Sequence, residues 1–177
     1  MRQKVYSSEV LDVFEKKIEN NNKRIITLSS SNWVNIIPIT NKNQIVFVKQ
    51  FRYGSNSETL EIPGGMVDDY ESSFQAASRE LYEETGYICE KIIELGNISP
   101  NPALFKNRIS SFLGLNAELK NSSLNNEEEI NECLLINKEK VPGLIESGKI
   151  DHALVISAFH LLVLKNNLLK NAHSAQI

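Results

Sequence analysis

The sequence predicts an α/β sandwich built on a mixed β-sheet, preceded by a β-rich N-terminal arm. Three observations predict it: short apolar, β-branched runs recur along the chain, two longer stretches carry helical spacing, and the two kinds of element follow each other without the regular alternation of a doubly wound sheet. A length of 177 residues suits one domain, 1–177, able to bury a core, and 41% hydrophobic with 23% charged residues are ordinary globular values. No internal repeat and no Gly/Pro/Ser-rich linker divides it.

In chain order, residues 1–40 supply N-terminal strands. Val5, Val10 and Val13 recur within 1–19 as a short strand or a loose arm, Asn20-Asn21-Asn22 reads as a turn, and 24–28 is apolar and β-branched. Runs 33–39 and 44–49, separated by Thr40-Asn41-Lys42-Asn43, read as a hairpin of largely buried strands. A further strand at 59–62 is stopped by Pro63-Gly64-Gly65. The spacing predicts a helix over 73–85: Phe74, Ala77, Leu81 and Thr85 share a face, Ser72 with Gln75 fits a capping box, and Gly86 fits a C-cap. Runs 92–95, 109–115 and 133–136 read as strands, while 138–147 and 153–168 read as helices, the second with Leu154, Ala158, Leu161 and Leu162 at apolar spacing. The acidic stretch 121–132 reads as a loop and 171–177 as a flexible tail.

A net charge of −3 argues against a protein that coats nucleic acid. No apolar run reaches the roughly 18 residues of a membrane span, and the N-terminus lacks a secretory apolar core. Cys89 and Cys133 make no ligand-spaced pair and read as reduced thiols. The expected location is the cytoplasm.

Chemistry concentrates on the 73–85 helix. Glu80, Glu83 and Glu84 fall at i, i+3 and i+4, on a band beside its apolar face. Like charges so placed repel by roughly a few tenths of a kcal/mol per pair, and Arg79, four residues before Glu83, offsets part of that. A solvated charged face is the bland reading. The neighbourhood favours another: a strand runs directly into Gly64-Gly65, whose backbone can approach a ligand closely, and Glu71 precedes the helix cap. Hard oxygen ligands on a rigid helix suit Mg²⁺ or Mn²⁺, with a diphosphate supplying further oxygens. Anions gathered before an anionic substrate call for a divalent cation between them.

Residues 65–87 match the Nudix box, Gly-x5-Glu-x7-Arg-Glu-U-x-Glu-Glu-x-Gly-U with U apolar, at Gly65, Glu71, Arg79, Glu80, Leu81, Glu83, Glu84 and Gly86; Tyr87 stands where an aliphatic residue is commoner. At average residue usage the seven fixed positions match by chance on the order of 10⁻⁹ per start site, so the motif is specific. The chain therefore resembles the Nudix hydrolases, and the order of its strands is similar to that family's α/β/α sandwich. The resemblance implies Mg²⁺-dependent hydrolysis of a nucleoside diphosphate linked to another group. It makes Glu80 and Glu84 the main metal ligands, with Glu83 and the carbonyl of Gly64 contributing, and makes Arg79 and Glu71 supports that orient the carboxylates.

Val48-Lys49-Gln50-Phe51-Arg52-Tyr53 and Leu60-Glu61-Ile62-Pro63-Gly64-Gly65 are similar to the lead-in of the ADP-ribose and nucleotide-sugar pyrophosphatase branch, and Pro102 falls where that branch often has proline. That branch more often carries Ala at position 64, which leaves the subgroup open. Arg52, Tyr53, Glu61 and Pro102 become candidate substrate-binding residues: Arg52 ends a strand and can fork onto a phosphate. Tyr53 and Trp33 suit stacking on a base or packing in the core or at a subunit interface. A late-loop glutamate serves this branch as general base, and Glu127 or Glu129 fits that place. His152, His160 and His173 read as structural. Homodimers are usual in the branch, with an arm such as 1–40 completing the partner's site. The alternatives are a Nudix hydrolase of dinucleoside polyphosphates, nucleoside triphosphates or capped RNA, and a nucleotide-binding sensor without turnover; the complete set of box carboxylates speaks against the sensor.

Overall fold

The computed structural model of the protein describes residues 2–18, 23–121 and 130–174. Strands β1 (Arg2–Ser7), β2 (Asp12–Lys17) and β3 (Arg24–Ser29) pair antiparallel as a separate sheet, so the arm is better ordered than a single short strand. It meets the body through Leu28, whose N–H donates to Leu104 O at 2.7 Å and whose carbonyl accepts from Lys106 N at 3.2 Å.

The main sheet holds eight strands: β4 (Trp33–Thr40), β5 (Gln44–Arg52), β6 (Ser57–Glu61), β7 (Gly64–Met66), β8 (Tyr87–Ile88), β9 (Lys91–Ile98), β10 (Ile109–Leu119) and β11 (Ile130–Asn137). Its path runs β11-β5-β4-β10-β8, and the parallel pairing of β10 with β4 among antiparallel neighbours makes it mixed, as expected. Successive side chains point to opposite faces of a strand. Val34, Ile36 and Val46 accordingly pack under α1 (Ser73–Thr85) against Ala76, Ala77 and Leu81. On the other face Ile37, Ile45, Phe47 and Ile62 pack against Val141 of α2 (Val141–Glu146) and Val155 and Ala158 of α3 (Ala153–Ser174). The result is the α/β/α sandwich.

The hairpin of β4 and β5 differs from a simple ladder. The two strands pair only beside their turn, at Ile39 and Ile45. Beyond that point β6 pairs with Val48–Arg52 of β5 and β7 pairs with Trp33–Asn35 of β4, so the 57–66 strip wedges the strands apart. Pro63 O accepts from Ile36 N at 2.9 Å at the tip of this wedge. The insertion carries Gly64 into the sheet, next to the helix that bears the carboxylates.

Helix α1 begins with the expected capping box: Ser72 Oγ accepts from Gln75 N at 3.3 Å and Gln75 Oε1 accepts from Ser72 N at 2.8 Å. Phe74 departs from the expected inner face; in the first turn its ring meets Phe112 edge-on, with centroids 6.5 Å apart, and is half exposed to solvent. Residues 138–147 divide into a short 3-10 turn (Lys138–Lys140) and α2, with Pro142 at the helix start where a missing N–H is harmless. Helix α3 runs to Ser174, beyond residue 171 where the tail was expected to begin.

Gly86 closes α1 at φ 71°, donating to Tyr82 O at 2.8 Å and accepting at its carbonyl from Lys120 N and Asn121 N. A Cβ here would collide with the Asn121 carbonyl oxygen. Gly86→Ala is therefore expected to lower stability by about 2 kcal/mol or more, combining left-handed strain with the clash; chemical denaturation at neutral pH measures it, and an unchanged midpoint refutes it.

Candidate active site

Arg79 sits at the middle of α1 and gathers the box carboxylates. Its Nη2 donates to Glu71 Oε1 at 2.7 Å and to Met66 O at 3.0 Å, and its Nη1 donates to Glu80 Oε1 and Glu83 Oε2, both at 2.9 Å. The i, i+4 pairing with Glu83 foreseen from spacing is present. These bonds hold the Glu71 carboxyl below the usual carboxylate range and keep the guanidinium charged, Glu71 contributing most.

Glu84 lies apart from this clamp, on the buried side of the helix at 8% exposure. Its Oε2 accepts from Gly64 N at 3.0 Å and its Oε1 from Gln50 Nε2 at 3.2 Å. Burial, followed by the charge of Glu80, pushes its pKa up to about 8. Two glycines permit the approach: a Cβ at Gly65 would strike the Glu80 carboxylate, and one at Gly64 would strike the carbonyl oxygen of Val34. The close pairing of β7 with β4 thus gives a physical reason for glycine at 64, where the resemblance to the branch leads one to expect alanine. Among the described residues no three acidic, histidine or cysteine side chains converge as a metal site in this arrangement, in which Arg79 engages oxygens of both Glu80 and Glu83. The donor set nonetheless fits a hard divalent cation: carboxylate oxygens on one rigid helix, with half-buried Glu80 and buried Glu84 repelling each other.

Beside the wedge, Arg52 forks onto Glu61, Nε to Oε1 at 2.8 Å and Nη2 to Oε2 at 2.9 Å, and Thr59 Oγ1 donates to Oε1 at 2.7 Å. Burial raises the Glu61 pKa, but these bonds outweigh it and hold the carboxyl below its ordinary value. The fork expected to face a phosphate is thus turned onto a carboxylate of the neighbouring strand. On the far side of Glu61 stands His152, with Nδ1 3.6 Å from Oε2. Arg52 and His152 form the common wall of two cavities. One, about 320 Å³, is largely apolar, lined by Trp33, Val34, Ile62, Ile109 and Val155, and reaches Gly64. The other, about 440 Å³, is lined by Tyr53, Ser55, Ser57, Thr59 and Asp151.

Of the sequence candidates, the fold brings Gly64, Gly65, Glu71, Arg79, Glu80, Glu83 and Glu84 together, with Arg52 and Glu61 alongside. Tyr53 is 73% exposed and lines the 440 Å³ cavity, its ring edge-on to Phe51. Pro102 lies exposed in the turn that leads to Leu104 and lines neither cavity. Glu127 and Glu129 lie outside the described residues. Sequence reasoning missed Gln50, whose only sequence signal is its place on the strand that continues the apolar run 45–48, and His152, read as structural.

The family model of the NUDIX domain matches residues 32–159. The chain belongs to the Nudix family. This Nudix hydrolase is 28% identical over 172 residues to the ADP-ribose pyrophosphatase of Bacillus subtilis (strain 168), covering 94% of this chain and 92% of that one. It is 32% identical over 130 residues to the methanol dehydrogenase activator of Bacillus methanolicus, covering 72% and 70% of the two chains. A crystal structure of an ADP compounds hydrolase superposes with a TM-score of 0.75 at 20% identity over 97% of this chain and 93% of that one, the same fold. Among the described residues no helix is long and apolar enough to cross a membrane.

The depressed Glu61 carboxyl sets a pH dependence. A group held below its ordinary value contributes stability above that value, 4.5, and the contribution disappears as pH falls through the folded-state value. Glu61→Gln is expected to destabilise the Nudix hydrolase at pH 7 by roughly 1–3 kcal/mol, with Arg52 partly solvated. The gap to wild type should close as pH drops below about 4.5, and thermal unfolding from pH 3 to pH 8 follows it. A gap that is constant with pH contradicts the assignment.

Proposed function

We propose that this Nudix hydrolase cleaves the diphosphate bridge of ADP-ribose or a related nucleoside diphosphate sugar, giving a nucleoside monophosphate and a sugar phosphate. The observation that carries the reading is the division of labour on α1: Arg79 gathers Glu71, Glu80 and Glu83, while Glu84 is fixed separately to Gly64 and Gln50. An arrangement built to hold surface charge alone has no need to bury Glu84. The resemblance to ADP-ribose pyrophosphatases over nearly the whole chain supports the substrate class.

Glu80, Glu83, Glu84 and the carbonyl of Gly64 would hold Mg²⁺ or Mn²⁺, which neutralises a diphosphate and lowers the pKa of a bound water. Arg79 and Glu71 keep the carboxylates in place, the outer-layer support such sites depend on. Gln50 and the Gly64 N–H stop Glu84 from turning away. Arg52, Tyr53 and Glu61 border the substrate, with Pro102 on a loop farther off. Glu127 or Glu129 takes the proton from the attacking water, as the branch resemblance implies. The arm exposes Val5, Tyr6, Val10, Ile25 and Ile26; in a homodimer these residues cover the partner. Cys89 and Cys133 are free thiols pushed up to about 11, mainly by burial, which suits the reducing cytoplasm.

Glu84→Gln should reduce kcat on ADP-ribose by at least about 10²–10³-fold with the fold retained, and Arg79→Met by about 10–100-fold. Steady-state assays with Mg²⁺ across ADP-ribose, other nucleotide sugars, diadenosine polyphosphates and nucleoside triphosphates test both. Near-normal turnover of Glu84→Gln sinks the metal-ligand role, and activity confined to polyphosphates sinks the substrate class.

A further inference from the structure

We propose that His152 is a substrate-binding residue that holds a hydroxyl of the sugar on the non-nucleoside side of the diphosphate; this deepens, and rests on, the nucleotide-sugar reading above. The His152 side chain is 37% exposed, yet its Nδ1 is buried without a hydrogen-bond partner and faces Glu61 Oε2 at 3.6 Å. Glu61 cannot turn away, because Arg52 and Thr59 bind it at three points. A carboxylate fixed behind one ring nitrogen selects the tautomer with the proton on that nitrogen and orients the ring. The exposed edge is then the one carrying Nε2, within reach of a sugar hydroxyl, which can both donate and accept. A separation slightly beyond hydrogen-bond length is usual for such a pair before the ligand arrives.

The lining of the cavities names the ligand. A sugar offers several hydroxyls, each donor and acceptor, and needs polar partners for them; the 440 Å³ cavity supplies Ser55, Ser57, Thr59 and Asp151, with the Tyr53 ring as an apolar wall. The 320 Å³ cavity on the other side of His152 is walled by Trp33, Ile62, Ile109 and Val155 and offers no serine or threonine hydroxyl. The His152 main chain also opens α3, its carbonyl accepting from Val155 N and Ile156 N. Asparagine keeps that helix start while removing the ring.

The test measures ribose 5-phosphate and AMP binding to the full chain by calorimetry, wild type against His152→Asn, with melting temperature as the fold control. The expected result is a roughly tenfold weaker Kd for ribose 5-phosphate, an unchanged Kd for AMP and an unchanged melting temperature. Equal weakening of both ligands, an effect on AMP alone, no effect, or no ribose 5-phosphate binding by the wild type each overturns the sugar assignment. The hydrolysis reading fails separately: the wild type then turns over no nucleotide sugar, even where ribose 5-phosphate binds in a His152-dependent way.

Discussion

One guanidinium organises this site. Four carboxylates within two turns of helix and its lead-in would scatter into solvent if left to repel each other. Arg79 bonds three of them and the carbonyl of Met66, and so ties the loop before α1, the helix and β7 into one rigid body. Charge-assisted bonds of this kind are short and directional. Because Arg79 accounts for Glu71, Glu80 and Glu83, Glu84 is free to be placed by other means, and the backbone of the sheet supplies them. The wedge of the 57–66 strip between β4 and β5 is what brings Gly64 N–H and Gln50 within reach of it.

Much of this was readable beforehand, for local reasons. The capping box at Ser72 and Gln75, the left-handed Gly86 and the i, i+4 pair of Arg79 and Glu83 involve residues a turn apart, where spacing determines contact. The two-sided burial of β4 and β5 follows from uninterrupted apolar runs. The local departures are small, such as the outward-leaning Phe74 and the 3-10 turn before α2; the larger misreadings are long-range. A hairpin was legible, but its opening was not, since it depends on which strands compete for the inner edges of β4 and β5. Three-residue β7 and two-residue β8 carry too little pattern to announce themselves. His152 became a wall of two cavities only because α3 starts opposite β6, 91 positions after Glu61 in the chain.

The exclusion of side chains matters as much as their presence. Gly64 and Gly65 stand where strand and helix approach so closely that even a methyl group would displace Val34 or Glu80. Backbone proximity of this kind places the polar atoms of the main chain, rather than a mobile side chain, beside the carboxylates.

The arm has a consequence for how such a protein diversifies. Its three strands form a self-contained sheet that touches the body mainly at Leu28, against the 104–106 segment. None of its residues takes part in the Arg79 clamp or in the fixing of Glu84. Substitutions on the described strands of the arm can therefore accumulate with the carboxylate cluster of the same chain untouched, so lineages sharing one hydrolytic engine are free to explore new assemblies through the arm.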